Sequence, residues 1–223
     1  MPTILTLSRH PKFYQQLTQT IRRHEGTAQG VVVIDGNWGL YRENTWRKVR
    51  GVDPFIYARN VNLGLKTIGE DDVLLINDDC ELVMPLLAEM QRLVREHPQI
   101  GLLSPQIDGP TSNPAQRISD EHKVLALTAK RLAFVCIYIP WQTRQLVGEL
   151  DEQFYGYGYE DDDYCIRVRQ AGLQLAVATQ LRVRHTHVSS SFLMQMSEVE
   201  RSASEQQMKV LFHAKHAQDP LLS

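Results

Sequence analysis

The chain has 223 residues, 43% of them hydrophobic and 22% charged, which suits one sizeable domain or a domain with an extension. A net charge of −2 argues against a large basic nucleic-acid footprint. Cys80, Cys136 and Cys165 are widely spaced and form no CxxC pair, so a disulfide framework and a zinc site are both disfavoured.

The opening residues show no signal-peptide pattern, and the longest apolar run, Leu132 to Ile139, is too short to span a bilayer. The expectation is a soluble, cytoplasmic protein with no transmembrane segment. Thr3 to Leu7 is a short apolar run and reads as a buried strand. Phe13, Leu17 and Ile21 recur every four residues and predict a helix ending near Gly26. Val31 to Ile34 is a second β-branched run, stopped by Asp35-Gly36-Asn37, as in a parallel strand whose C-terminal end opens on a loop. Strand, helix, strand opens a βαβ unit.

Trp38 to Pro54 is irregular and basic, and reads as a loop, either solvated or anion-contacting. Ala58 to Ile68 predicts a helix, with Arg59, Asn60 and Asn62 near its start, where backbone N–H groups favour anions. Val73 to Ile76 predicts another buried strand, ending in Asn77, Asp78 and Asp79. Ligands of open α/β sheets sit outside such strand ends, and acids there are placed to hold a divalent cation with a phosphate-bearing ligand. Met84 to His97 predicts an amphipathic helix with Pro85 in its first turn, and Ile100 to Leu103 a strand. Asp108 to Asp120 is rich in Pro, Gly, Ser and Asn and reads as a loop.

Val124 to Thr128 and Leu132 to Ile139 read as strands, and Gln142 to Val147 as a helical turn. In the stretch FYGYGYEDDDYC, Gly156 and Gly158 alternate with tyrosines before four consecutive acids, Glu160 to Asp163. An acidic first turn is also what a helix dipole favours by itself. Leu173 to Ala178 and Leu181 to Arg184 read as two strands, the second running into His185 and His187. Ser197 to His216 predicts a C-terminal helix. Carboxylates with one imidazole suit manganese or magnesium, and His185 and His187 would share a face if the strand persists.

The order VVVIDGN, ARNVNLGLK, LLINDDC, GELDEQFYGYGYEDDDYCIRVRQAG and VRHTH resembles the family 2 glycosyltransferases of the GT-A fold. The GYGYEDDD portion is similar to the acidic motif of the beta-1,4-galactosyltransferases. The resemblance spans about residues 1–190, on motif order and spacing. It implies an α/β fold with a mixed, mostly parallel central sheet flanked by helices. Residues 1–195 would form the transferase domain, with a donor half to about 105 and an acceptor half beyond it, and residues 196–223 a helical extension.

The resemblance also implies roles. Asp35 would lie near the nucleoside, with Arg59 and Asn60 also substrate-binding. Asn77-Asp78-Asp79 takes the place of the family's DxD motif, with Asn in the first acid position. Asp79 would be a metal ligand, completed by His185, with His187 its rival. Asp161 would be the general base, ionised at its helix N-terminus, and Glu160 would bind the acceptor. Tyr157 and Tyr159 either stack on a sugar or simply pack. The implied reaction is inverting, metal-dependent transfer from a nucleotide-diphospho-sugar to a hydroxyl of a glycan, lipid-linked sugar, small metabolite, protein or modified nucleic acid. A metal-dependent nucleotidyltransferase, a nucleotide-sugar-binding module without turnover and a two-metal nuclease are the competing readings. Oligomeric state is left open.

Overall fold

The computed structural model describes residues 2–42, 46–119, 124–128, 131–186 and 197–219. The chain opens with strand β1 (Thr3–Ser8), helix α1 (Pro11–Glu25) and strand β2 (Gly30–Ile34). β3 (Arg47–Arg50), α2 (Tyr57–Ile68) and β4 (Val73–Ile76) follow. Next come β5 (Cys80–Leu82), α3 (Leu87–Glu96), β6 (Ile100–Asp108), β7 (Leu125–Thr128) and β8 (Cys136–Ile139). The last elements are α4 (Trp141–Val147), α5 (Glu160–Gln170), β9 (Gln174–His185) and α6 (Glu198–Lys215).

Among the described residues the strands form one sheet in the order β3-β2-β1-β4-β8-β6-β9-β5, with β7 added on β9. From β3 to β4 every pairing is parallel. β8 runs antiparallel to both β4 and β6, whereas β9 is parallel to β6 and antiparallel to β5 and β7.

The sheet is apolar on both faces, as its near-continuous hydrophobic strands require. Neighbouring strand residues point to opposite sides, so Ile4 and Val32 join the core under α1 and α3, and Leu5 and Val33 join that under α2 and α5. Truncating a fully buried side chain such as Leu17 to Ala costs about 2–5 kcal/mol in cores of this kind. A third, smaller cluster joins α6 to α5 through Phe154, Ile166, Met208 and Phe212. The start of α6 carries a capping box, Ser197 with Glu200.

Several expected boundaries move. The basic loop after Trp38 contains β3, an edge strand whose Arg and Lys side chains discourage pairing with another chain. β6 continues past Leu103 through Pro105 to Asp108, and its register with β9 shifts next to the proline. The two strands expected between Leu173 and Arg184 are one, β9, paired with β6 on both sides of an irregularity after Ala178 and flanked on its other edge by β7 then β5. β8 is confined to Cys136–Ile139, and Leu132 to Val135 is buried outside any strand. α3 starts at Leu87, beyond Pro85, where the Glu25 carboxylate accepts the N–H groups of Leu86 and Leu87.

Candidate active site

β4 ends at Ile76, and a tight turn follows in which the N–H of Cys80 donates to the Asn77 carbonyl at 3.2 Å. The turn carries Asp78 and Asp79 to the C-terminal edge of the parallel strands. Both are buried, at 5% and 3% exposure. The Ser8 hydroxyl, at the end of β1, donates to Asp78 Oδ2 at 2.7 Å and lies 3.0 Å from the Tyr41 hydroxyl. Burial pushes the Asp78 carboxyl up to about 7, against the Ser8 bond and helped by the charge of Asp79.

Asp79 is held from the opposite chain direction. β5 and β9 pair with Cys80 opposite His185, and Thr186 donates its N–H (3.1 Å) and hydroxyl (2.7 Å) to the Asp79 carbonyl. His185 Nε2 then stands 3.2 Å from Asp79 Oδ1. Neither Asp79 carboxylate oxygen makes a hydrogen bond, and neither does Nε2. Nδ1 of the same imidazole lies 2.5 Å from the Pro110 carbonyl, so it carries a proton and donates there. In the neutral ring Nε2 is therefore a bare lone pair facing a carboxylate, an arrangement that a cation relieves. Either a proton on Nε2 or a metal would serve. Burial works against charge on His185, but Asp79 overcomes it and raises the pKa.

This donor set fits a divalent metal. It offers two unspent carboxylate oxygens and an imidazole whose tautomer is fixed by its other nitrogen. Cys80 Sγ belongs to the same cluster, within 4.8 Å of the other two ligand atoms. Burial and the neighbouring Asp79 keep that thiol protonated, and it points to the Val135 carbonyl at 3.8 Å. Asp79 and His185 are the better ligands.

The other half of the site is the start of α5. Gly158 (φ 85°) and Tyr159 (φ 74°) both adopt left-handed backbone, which costs a non-glycine residue about 1–3 kcal/mol and calls for outside support. α6 gives it. Ser204 Oγ accepts the Tyr157 N–H at 2.9 Å, and Met208 Sδ accepts that of Gly156 at 3.3 Å. A Cβ on Gly156 would lie 2.4 Å from Ser204 Oγ.

The four acids that follow have four environments. Asp163 is fully buried and binds Arg167 (2.8 Å), Lys215 (2.6 Å) and His216 (2.8 Å), tying α5 to the end of α6. Asp162 pairs with Arg131 at 2.6 Å. Asp161 accepts the N–H groups of Asp162 at 2.8 Å and Phe134 at 3.4 Å. Glu160 has a buried Oε2 with no partner. Burial, then mutual repulsion, raises Glu160. Burial also raises Asp161, but its N–H donors and Arg131 oppose the rise. The two carboxyls therefore titrate as a pair, with the opposing N–H donors and Arg131 acting on Asp161.

One cavity of about 790 Å³ brings these halves together. Asn77, Asp78, Asp79 and His185 line it together with Tyr157, Glu160 and Asp161. Arg59, Asn60, Asp35 and Tyr159 lie outside its lining. Arg59 Nε is paired with Glu152 at 3.1 Å. Asn60 is buried and accepts the Val52 N–H at 2.8 Å while donating to the Ile56 carbonyl. Asp35 pairs with Arg9 at 3.0 Å, and Tyr159 packs on Phe212 with ring centroids 5.1 Å apart. His187 falls outside the described residues. Tyr57, Phe134 and Arg117 also line the cavity and carried no motif signal.

No protein-family model matches the sequence, and no curated protein is found as a relative. Solved structures do match in fold. The structure of GalNAc-T7 with UDP, GalNAc and Mn2+ superposes with a TM-score of 0.69 at 12% identity, covering 84% of this chain and 44% of that one. S. aureus TarS matches with a TM-score of 0.64 at 14% identity, over 98% of this chain and 44% of that one. A TarS structure of residues 1–349 gives 0.63 at 12% identity, over 98% and 73%. The chain thus spans less than half the length of the first two. At such identities the likeness establishes the fold, which is of the GT-A type.

Proposed function

We propose that this protein is an inverting, metal-dependent glycosyltransferase of the family 2 kind. It moves a sugar from a nucleotide-diphospho-sugar to an acceptor hydroxyl. The observation that carries the reading is the cavity itself: its lining holds both the Asp79–His185 pair, with unpartnered ligand atoms, and the Glu160–Asp161 pair. The fold supports it, and so does the likeness to GalNAc-T7, whose structure holds UDP, GalNAc and Mn2+. The transferase unit is residues 1–195, its donor half running to about residue 105 and its acceptor half following, with 196–223 an extension.

Asp79 and His185 would hold manganese or magnesium. Such an ion neutralises charge that grows on a diphosphate leaving group. Arg117, an exposed cation of the cavity lining, would contact the same diphosphate. Asp161, whose N–H donors oppose the rise that burial causes, would take the proton of the attacking hydroxyl. Glu160 and Tyr157 would hold the acceptor. A carboxylate base within hydrogen-bond reach is worth roughly 10²–10⁴-fold.

The test is a thermal-shift screen of nucleotide sugars with and without manganese, followed by product analysis. Stabilisation that needs both nucleotide sugar and metal supports the reading. Release of a nucleoside diphosphate agrees with sugar transfer, whereas pyrophosphate would mark a nucleotidyltransferase. No stabilisation by any nucleotide sugar would overturn the proposal.

A further inference from the structure

Tyr57 is the first residue of α2, and it lines the cavity together with Glu160, Asp161 and Phe134. Its hydroxyl is buried and makes no hydrogen bond, and the same is true of Glu160 Oε2. Buried polar atoms are nearly always paired, so each of these needs a reason. The ring alone would fill the space, since phenylalanine has the same shape without the hydroxyl. Burial first, then the charges of Glu160 and Asp161, keep the phenol protonated and therefore a donor. The cavity wall thus holds one unspent donor and one unspent acceptor beside the proposed base. A hydroxyl group accepts from the first and donates to the second at once.

We propose that Tyr57 and Glu160 together bind a single sugar hydroxyl next to Asp161, making Tyr57 a residue that selects substrate. The inference rests on the sugar-transfer reading and deepens it. The hydroxyl belongs either to the donor sugar or to the acceptor; both offer the same chemistry. A site built to hydrogen-bond a hydroxyl strongly rejects an analogue that lacks it, because its own polar groups are then left unpaired. The competing possibility is that the phenol simply bonds Glu160 directly as a structural brace.

The experiment compares the full-length wild type with Tyr57→Phe. Without ligand, the variant is expected to melt at or above the wild-type temperature, because an unpaired buried hydroxyl has been removed. Affinity for a nucleoside diphosphate with manganese, measured by calorimetry, is expected to stay within twofold. If the hydroxyl is the donor's, affinity for the nucleotide sugar that best stabilises the wild type falls at least tenfold. If it is the acceptor's, donor affinity holds and KM for a methyl glycoside, chosen from a panel the wild type uses, rises at least tenfold. A lowered melting temperature would assign the hydroxyl to structure and overturn the proposal. So would donor affinity and transfer both within twofold of wild type, or unchanged donor affinity with no glycoside used. A wild type that binds no nucleotide sugar sinks the sugar-transfer reading itself, a different result from any of these.

Discussion

The hydroxyl of Ser204 on α6 accepts the backbone N–H of Tyr157 at 2.9 Å, 47 residues earlier in the chain. Through this bond a helix outside the sheet braces the loop that carries the proposed acceptor side of the cavity. Gly156 sits against the same hydroxyl, with Met208 Cγ 3.0 Å from where its Cβ would be. Gly156→Ala is therefore expected to push α6 away, costing about 1–3 kcal/mol in a denaturant titration and reducing transfer. Adding Ser204→Ala to it should recover part of the stability. A fully stable Gly156→Ala variant would show that α6 does not press on the loop.

Asp79→Ala removes the carboxylate whose two oxygens are unsatisfied. Nucleotide-sugar binding in manganese should weaken by at least the roughly 10–100-fold that changes around a metal ligand cost. Binding without metal should change little. His185→Ala should act in the same direction and more strongly than His187→Ala. Calorimetry with and without manganese checks both, and undiminished metal dependence in Asp79→Ala would remove that residue from the metal site.

Asp161→Asn keeps the shape of the side chain and its contact with the Phe134 N–H region but takes away the base. Turnover should drop by roughly 10²–10⁴-fold with donor affinity unchanged. Steady-state kinetics and binding on the same preparation separate the two. Near-normal turnover would move the base elsewhere in the cavity.

Glu160 has its pKa raised above the ordinary value of 4.5 by burial and then by Asp161. A folded-state pKa above the unfolded one gives a contribution fully present below about 4.5, lost as pH rises through the folded value. Without ligand, the melting temperature should fall across that rise. Glu160→Gln should flatten the fall, melting above wild type at pH 8 and gaining least at pH 5. A variant whose melting profile parallels the wild type would contradict the burial assigned to this carboxyl.

Arg117 is an exposed residue of the cavity lining, which also holds Asp78, Asp79, Glu160 and Asp161. Arg117→Ala should weaken nucleoside-diphosphate binding about tenfold, the order expected for a lost charge-assisted hydrogen bond. The difference should shrink as salt is raised. Equal affinities at low salt would mean that the side chain faces water.

Much of this architecture is legible in the residues, because buried parallel strands announce themselves as apolar runs and helices as stripes. β3 is hidden for the opposite reason: Arg47, Lys48 and Arg50 are suited to a sheet edge and look like a loop. Pro105 and Thr179-Gln180 interrupt the apolar pattern of β6 and β9, yet neighbouring ladders carry both strands through. The acids at strand and helix ends stand out by position and converge on one cavity. Arg59 and Asn60 could not be placed in the same way. Their partners, Glu152 and the Val52 N–H, are set by how α2 meets distant or looping chain. Tyr159 turns toward Phe212 because of a left-handed backbone angle that no spacing reveals. The Tyr57 hydroxyl is harder still, since its signal is a missing partner.

The pairing of Cys80 with His185 joins two points of the chain more than a hundred residues apart. The β5–β9 ladder is the most non-local of the sheet, so closing it costs the most chain entropy and His185 is expected to meet Asp79 late in assembly. Any partly folded chain that lacks this ladder also lacks the proposed cation pocket. Recovery of metal-dependent ligand binding during refolding would thus report the arrival of the last long strand.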